Sequence, residues 1–495
     1  MLKVLKFVFR EQSIAVRELS SNFINQKTGV AMLRITAFSA AILMSAITLS
    51  AAPPLIDRTL PAEVVDENGA ALDPTVPGSF PLDFFDDFSW QSFIALNWPA
   101  KEGVRGVAHE TKTLNDPGPR VWETWKAAYE LVPKDLNPPD PAMPSVFEPT
   151  EWDSFDARTP CPDIDRVGSG KKRVLGVWKP FGDFNQVGFG EDDLQGPLVC
   201  QNATYTRFEV RVNREEFNFI RDNKLYLRSK IKTLTKPVKF TPGSIEVKAA
   251  WRELEESMPA AEVETYYHIE ANVYDAVTMT CAKRRIGLVG MHIVHKTPLR
   301  PQWVWSSFEH VRNVPLPGAT PATTEQFSYN SPTKPQMLDS PPDPITPANP
   351  PATPPTRTQV IRKKPLHPAG NGSIGTVATN ERYQAALAGT VWKNYMLVVT
   401  QWPTKTKDPS LEFPENILGD PFPATSATSV ANTTMETYLQ SGTSCMRCHD
   451  TARDSNLDFV FFLDFHAFND TGLAGVKPIT AAKLKLKLEQ ILVAP

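Results

Sequence analysis

One pentapeptide near the C-terminal end, Cys445-Met446-Arg447-Cys448-His449, constrains this chain more than any other stretch. Two thiols separated by two residues and followed at once by an imidazole make the pattern that attaches a c-type haem. The thiols add across the vinyl groups of the ring, and the adjacent His meets the iron from the proximal side. A zinc half-site would need further Cys or His at matching spacing, and the chain holds no second C-x-x-C. A thioredoxin-like redox pair would want a βαβ context and has no use for the trailing His. The expected cofactor is one covalent haem c, held by Cys445 and Cys448, with His449 as axial iron ligand.

The other axial position decides what such a haem does. An ordinary small cytochrome c places a Met downstream of the motif, whereas Asp450 to Pro495 contains none. The sixth ligand must come from elsewhere, or the position stays open. His466, the one His after the motif, is a sixth-ligand candidate: in a helical Leu457–Phe468 it lies one turn from Phe462, on a face shared with Phe459. Upstream, His292 and His295 are three apart. On a strand they point to opposite faces, so one of them at most reaches the iron. His268, Met291 and Met396 are further candidates, and a second metal site from His292, His295 and His310 is the weakest reading. Two protein ligands would leave electron transfer alone. An open iron would permit peroxide or O₂ chemistry, for which Arg252, Glu246 and His268 offer acid/base groups. Charged residues on strands mostly mark solvated faces, the plainer reading of those three.

An export signal agrees with the haem. Met32-Leu33-Arg34 starts a short basic lead, Ile35 to Leu49 is apolar, and Ser50, Ala51 and Ala52 are small, as in a secretory signal peptide of about 32–51. The expected location is periplasmic or secreted, with membrane attachment only if the segment stays uncleaved. Residues 1–31 fit an early assigned start ahead of Met32. Of the remaining Cys, Cys161 and Cys200 are the pair expected to join and Cys281 the odd, buried thiol.

At 495 residues the chain is too long for one small haem domain, and its 46 prolines argue against a mostly helical build. A net charge of -3 gives no reason to expect nucleic acid. The expected class is α+β: an antiparallel β-sandwich or distorted barrel body, N-terminal helices, and a small, mostly helical C-terminal haem segment. Helices are expected over Phe84–Trp98 and Arg120–Leu131, with Trp90, Trp98, Trp122 and Trp125 as core. Strands are expected near 173–178, 206–212, 243–252, 266–273, 285–294, 303–308 and 395–403. Further helices are expected at 383–387, 433–440 and 480–492. The domain reading is 1–52 (upstream segment and signal), 53–150 (lead-in and helices), 151–314 (β-rich), 315–375 (Pro-rich linker without chemistry), 376–425 (return to the β body) and 426–495 (haem segment).

The chain resembles a group of exported bacterial single-haem "cytochrome c family" proteins. The likeness runs through Phe88–Pro99, Val121–Lys126, Ser244–Arg252, Trp303–Pro315 and Ala431–Tyr438, and ends in the haem motif. It implies haem, export and architecture, and no functional residue beyond Cys445, Cys448 and His449. The leading expectation is a periplasmic monohaem cytochrome that exchanges electrons with a redox partner protein. The alternatives are a haem-dependent oxidoreductase, a peroxidase or oxygenase with a small-molecule substrate, and a β-sandwich binding module with a structural or sensing haem.

Overall fold

Alternating apolar residues in the middle of the chain build a sheet, and two different sets of elements cover its faces. The computed structural model describes residues 54–73, 82–131, 148–154, 174–175, 198–275, 280–316, 319, 322, 325–333, 357–369, 373–402, 431–440, 445, 449, 452 and 456–463. All of them belong to the unit that begins at Pro54. The fold is α+β, with eight strands in one mostly antiparallel sheet. The strands are β1 (Lys126–Ala127), β2 (Val174–Leu175), β3 (Arg207–Val212), β4 (Ile245–Glu253), β5 (His268–Asp275), β6 (Thr280–Thr297), β7 (Arg300–His310) and β8 (Tyr395–Gln401). Each overlaps an expected strand except β1.

The 18-residue β6 is the spine. One of its edges pairs with β4; the other pairs first with β5 and then with β7. The order β1–β3–β4 completes one side, β8 follows β7, and β2 joins β5 in parallel.

One face lies under helices α1 (Leu82–Leu96) and α3 (Gly375–Ala386), between which α2 (Arg214–Asp222) occurs in the chain. Trp90, Phe93 and Ile94 of α1 are buried there, and Trp90 stacks on Tyr383 of α3 at 5.1 Å. Trp122 and Trp125 are also core, as expected, while Trp98 packs against the core only partly buried.

Two helical expectations fail locally, and a third, conditional one fails at its start. Arg120–Leu131 is broken into a 3-10 turn at Trp122–Thr124, an extended Trp125, strand β1 and a single turn at Ala128–Leu131. The edge of β3 claims this stretch: Lys126 and Ala127 pair with it, and Arg211 Nη1 donates to the Trp125 carbonyl at 2.9 Å. In 433–440 only Thr437–Leu439 is helical, and as a 3-10 turn. Asn432 Oδ1 accepts from the N–H and hydroxyl of Thr434, and such local bonds compete with a helix. The Leu457–Phe468 stretch, in which a helix would have placed His466, is not helical at its start, because Asp458 and Phe459 have φ of 49 and 69°.

Cys200 is a free, fully buried thiol with Sγ 3.5 Å from Thr206 Oγ1, so the expected bond to Cys161 is not made there. Both flanks of the Pro-rich stretch enter the core. Tyr329 and Val360 are fully buried and joined by a backbone bond of 2.8 Å, and the Thr358 N–H donates to Val199. The densest run, Pro341–Pro355, lies outside the described residues, as do the export signal, Cys161 and the expected helix at 480–492. Among the described residues no helix is long and apolar enough to cross a membrane.

Candidate functional site

Side chains alternate along a strand, so each central strand sends one set of residues to each face. On β7, Val304 joins the α1 cluster, Ser306 Oγ shares a 2.7 Å hydrogen bond with Ser89, and Phe308 stacks on Phe93. The odd-numbered neighbours turn the other way, and each meets the C-terminal segment. Trp303 Nε1 donates to the Asp458 carbonyl at 2.9 Å, Trp305 packs on the His449 ring with centroids 4.2 Å apart, and Ser307 Oγ accepts from Asn432 at 3.1 Å. Glu309 accepts from the N–H and hydroxyl of Thr433 at 2.8 and 2.9 Å and is ion-paired with Arg362.

A glycine admits the segment at the centre of the sheet. A Cβ on Gly290 of β6 would collide with Thr434 Oγ1, and it would also touch Ala250 Cβ and Asn432 Oδ1 at 3.5 Å. A larger residue would have to displace the Thr434 hydroxyl, which is bonded to Asn432 Oδ1 within the 432–434 turn.

His449 is oriented by its surroundings. Its Nδ1 hydrogen-bonds the Phe459 carbonyl at 2.7 Å, and Trp305 and Phe461 pack against the ring at 4.2 and 4.7 Å. The left-handed backbone at Asn456, Asp458 and Phe459 is costly for non-glycine residues, and backbone of that kind clusters at ligand clamps. Burial pushes the His449 pKa down to about 4 against the pull of the Phe459 bond, with the Lys248 charge adding to the fall. A neutral imidazole with Nδ1 fixed on a carbonyl is the form and tautomer that ligates metal through Nε2. Cys445, partly buried, sits against an apolar patch of Leu366, Met396, Val398 and Val399, surroundings suited to a haem edge. Cys448 and His466 lie outside the described residues. The two described motif residues therefore fit a covalent haem: the thiol of Cys445 lies against apolar groups, and the imidazole is neutral and oriented.

Around this motif the sheet face is ionisable, which the sequence did not foretell. Glu246 and Lys248 of β4 look like a solvated alternation, yet Glu246 is buried and Lys248 partly so. Lys248 pairs in register with His292, whose Nε2 is 3.4 Å from Glu436 Oε1. Burial raises the carboxyl pKa of Glu246 and Glu436 and lowers the Lys248 amine, against the attraction between Lys248 and the two carboxylates; at Glu436 the Asn432 N–H also opposes the rise and the Glu309 charge adds to it. Burial also takes His292 down to about 3, with the Lys248 and His449 charges adding to the effect. Farther along β6, Lys296 Nζ bonds Asp458 Oδ2 at 2.6 Å, and burial lifts Asp458 to about 6. Glu216, the third residue of α2, is fully buried with neither carboxyl oxygen hydrogen-bonded, and its pKa lies well above the ordinary value through burial and then the Glu246 charge.

The other named residues fall away from this group. His295 stacks on Phe88 at 5.4 Å and His310 on Tyr266 at 4.1 Å, both on the α1 face, so His292, His295 and His310 do not come together. Met291 Sδ accepts from Asn97 at 3.8 Å on that same face. His268 Nδ1 hydrogen-bonds the Tyr266 carbonyl at 3.1 Å, and Arg252 Nη1 donates to Ser328 at 3.0 Å, so neither stands with Glu246 as an acid/base set. Met396 remains near Cys445. Lys248, Glu436, Asp458 and Trp305 were missed. The usable signal was parity: Glu246, Lys248, His292 and Trp305 fall on one face once the strands are in register. Comparison with protein-family models, curated proteins and solved structures finds no match for this chain.

Proposed function

We propose that this chain is an exported monohaem c-type cytochrome that carries electrons to or from a redox partner protein. The observation that carries the reading is the orientation of His449: Nδ1 on the Phe459 carbonyl, the ring against Trp305 and Phe461. Cys445 and Cys448 would anchor the ring as thioethers and His449 would ligate the iron. Bound haem c supplies a one-electron Fe(III)/Fe(II) couple. The chain's own residues hold the imidazole neutral, exclude water with Trp305 and Phe461, and set buried charges nearby, which tune such a couple. For the body we keep the expected distorted barrel. Its support is the bulges at Ala250/Trp251, His295/Thr297 and Ser307/Phe308, which bend the long strands.

Production in a bacterial periplasm with haem c maturation is the test. The pyridine haemochrome spectrum and intact mass should report one covalent haem with two thioether bonds, lost in Cys445→Ser/Cys448→Ser. A chain recovered folded and without haem under those conditions would overturn the reading. The second reading, a haem-dependent oxidoreductase with an open distal side, is favoured by the buried Glu246, Lys248 and Glu436 group beside the motif. Prompt carbon monoxide binding to the reduced protein would move it to first place.

A further inference from the structure

We propose that His292 is the sixth ligand of the haem iron, closing the site opposite His449; the inference rests on the haem reading above. Strand parity is the first support. His292 projects from β6 onto the face that carries the C-terminal segment, while His295, His310 and Met291 project onto the α1 face. The register supplies the second. His292 pairs with Ser307, so it is the diagonal same-face neighbour of Trp305, the residue packed on His449. Diagonal neighbours of this kind have Cα atoms about 7–8 Å apart. The third is the ring's own chemistry. Nε2 faces Glu436 Oε1 at 3.4 Å, and among the described residues Nδ1 makes no hydrogen bond, which leaves that nitrogen for the iron.

An unpartnered buried nitrogen is not by itself decisive, since His295 Nδ1 shares it on the far face. The difference at His292 is Glu436, whose Oε1 is 3.4 Å from Nε2. Ligating imidazoles usually give their second N–H to a carboxylate or carbonyl. Glu436 is placed to take the Nε2–H of His292, as the Phe459 carbonyl takes the Nδ1–H of His449, so Nδ1 is the nitrogen of His292 left to the iron. Glu436 is itself held by the Asn432 N–H on Oε2 at 2.9 Å. His292 also sits on the central strand, paired on both sides by β4 and β7, so its backbone position is set before any cofactor arrives.

The experiment is spectroscopic, on the full haem-loaded chain. Near-infrared magnetic circular dichroism and electron paramagnetic resonance of the ferric wild type should show a low-spin, bis-imidazole iron. The ferrous form should be slow to bind carbon monoxide. His292→Ala should turn the spectrum high-spin with haem content per chain unchanged, and added imidazole should restore the low-spin form. His466→Ala should leave it unchanged. A wild type with His–Met, His–Lys or high-spin character would overturn the proposal without needing a variant. So would a His292→Ala protein that stays low-spin, or conversion by His466→Ala instead. Absence of covalent haem would overturn the functional reading itself, a separate outcome seen in the pyridine haemochrome assay.

Discussion

The two faces of the central sheet are built by the same strands and hold different chemistry. Under α1, the buried polar groups are mostly hydroxyls closed on one another: Asp86 accepts from Thr376 and Thr400 at 2.7 Å each, and Ser89 bonds both Ser306 and Thr400. Aromatic rings fill the remainder. On the opposite face the same strands present Glu246, Lys248, His292, Lys296 and Glu309 to a segment that adds Glu436, His449 and Asp458. A sheet can bury ionisable groups where they stabilise little if its other face supplies the stability, because ion pairs repay their desolvation poorly. The α1 face is the structural half of the molecule, and the opposite face is the ionisable half, the reactive one under the proposed haem reading.

Removing the anchor of the reactive face should have the largest effect. Glu309 and Arg362 are ion-paired with side chains 0% and 1% exposed, and Glu309 also holds Thr433. Glu309→Ala leaves a buried guanidinium uncompensated, which typically costs about 3–5 kcal/mol. The expected result is a lower urea midpoint together with early proteolytic cleavage after residue 430, and Glu309→Gln should recover part of the loss. A drop in stability with the segment still protected would show that the two faces are not separable.

A pH series distinguishes the faces next. Burial is the main cause that raises Asp86 to about 7, with Asp83 and Asp87 adding to it and the two Thr hydroxyls opposing. The folded protein therefore keeps a proton that the unfolded chain, where an Asp has its ordinary value of 3.8, has released. Stability from this group falls as pH rises between those values, by about 1.4 kcal/mol per unit at most, and is constant above them. His295 and His310, lowered to about 3, act oppositely: their contribution is lost as pH falls below about 6.5. The wild-type curve mixes these slopes, so the difference between Asp86→Asn and wild type isolates one. The variant should gain relative to wild type from pH 4 to 8, by up to about 4 kcal/mol. A flat difference in urea melts over that range would exclude a buried, titrating Asp86.

How far these faces were legible beforehand follows from the range of the interactions. Strand positions and the His292/His295 divergence were readable because alternation is local and has a period of two. The C-x-x-C-H pattern stood out because thioether attachment would demand adjacent chemistry, and the haem it implies is our proposal. The ionisable face was not, since Glu246 and Lys248 look solvated until Glu436, from a segment nearly two hundred residues away, covers them. The helix expected at Arg120–Leu131 failed for the same reason, because the competing partner, β3, is remote in sequence.

Gly290→Ala tests the fit of the covering segment. The added methyl meets Thr434 Oγ1 and must displace that hydroxyl from its bond to Asn432 Oδ1, which helps hold the 432–434 turn, an overpacking of about 1–3 kcal/mol. The expected signature is selective: amides of 431–437 should lose hydrogen-exchange protection while those of α1 keep it. Equal loss on both faces would mean that the sheet itself had shifted.

The smallest effect belongs to Ser306, the structural face's counterpart of Ser307. Its hydroxyl shares one 2.7 Å bond with Ser89, whose oxygen keeps a second partner in Thr400 at 2.8 Å. Ser306→Ala therefore orphans no buried group, and a bond of this kind contributes about 1 kcal/mol net. The chemical melt should move by that amount, while the haem spectrum and its response to carbon monoxide should not move at all, although residue 306 lies between Trp305 and Ser307 in the chain. A spectral change would show that the strand transmits packing from one face to the other, and the division between a structural and a reactive half would then have to be given up.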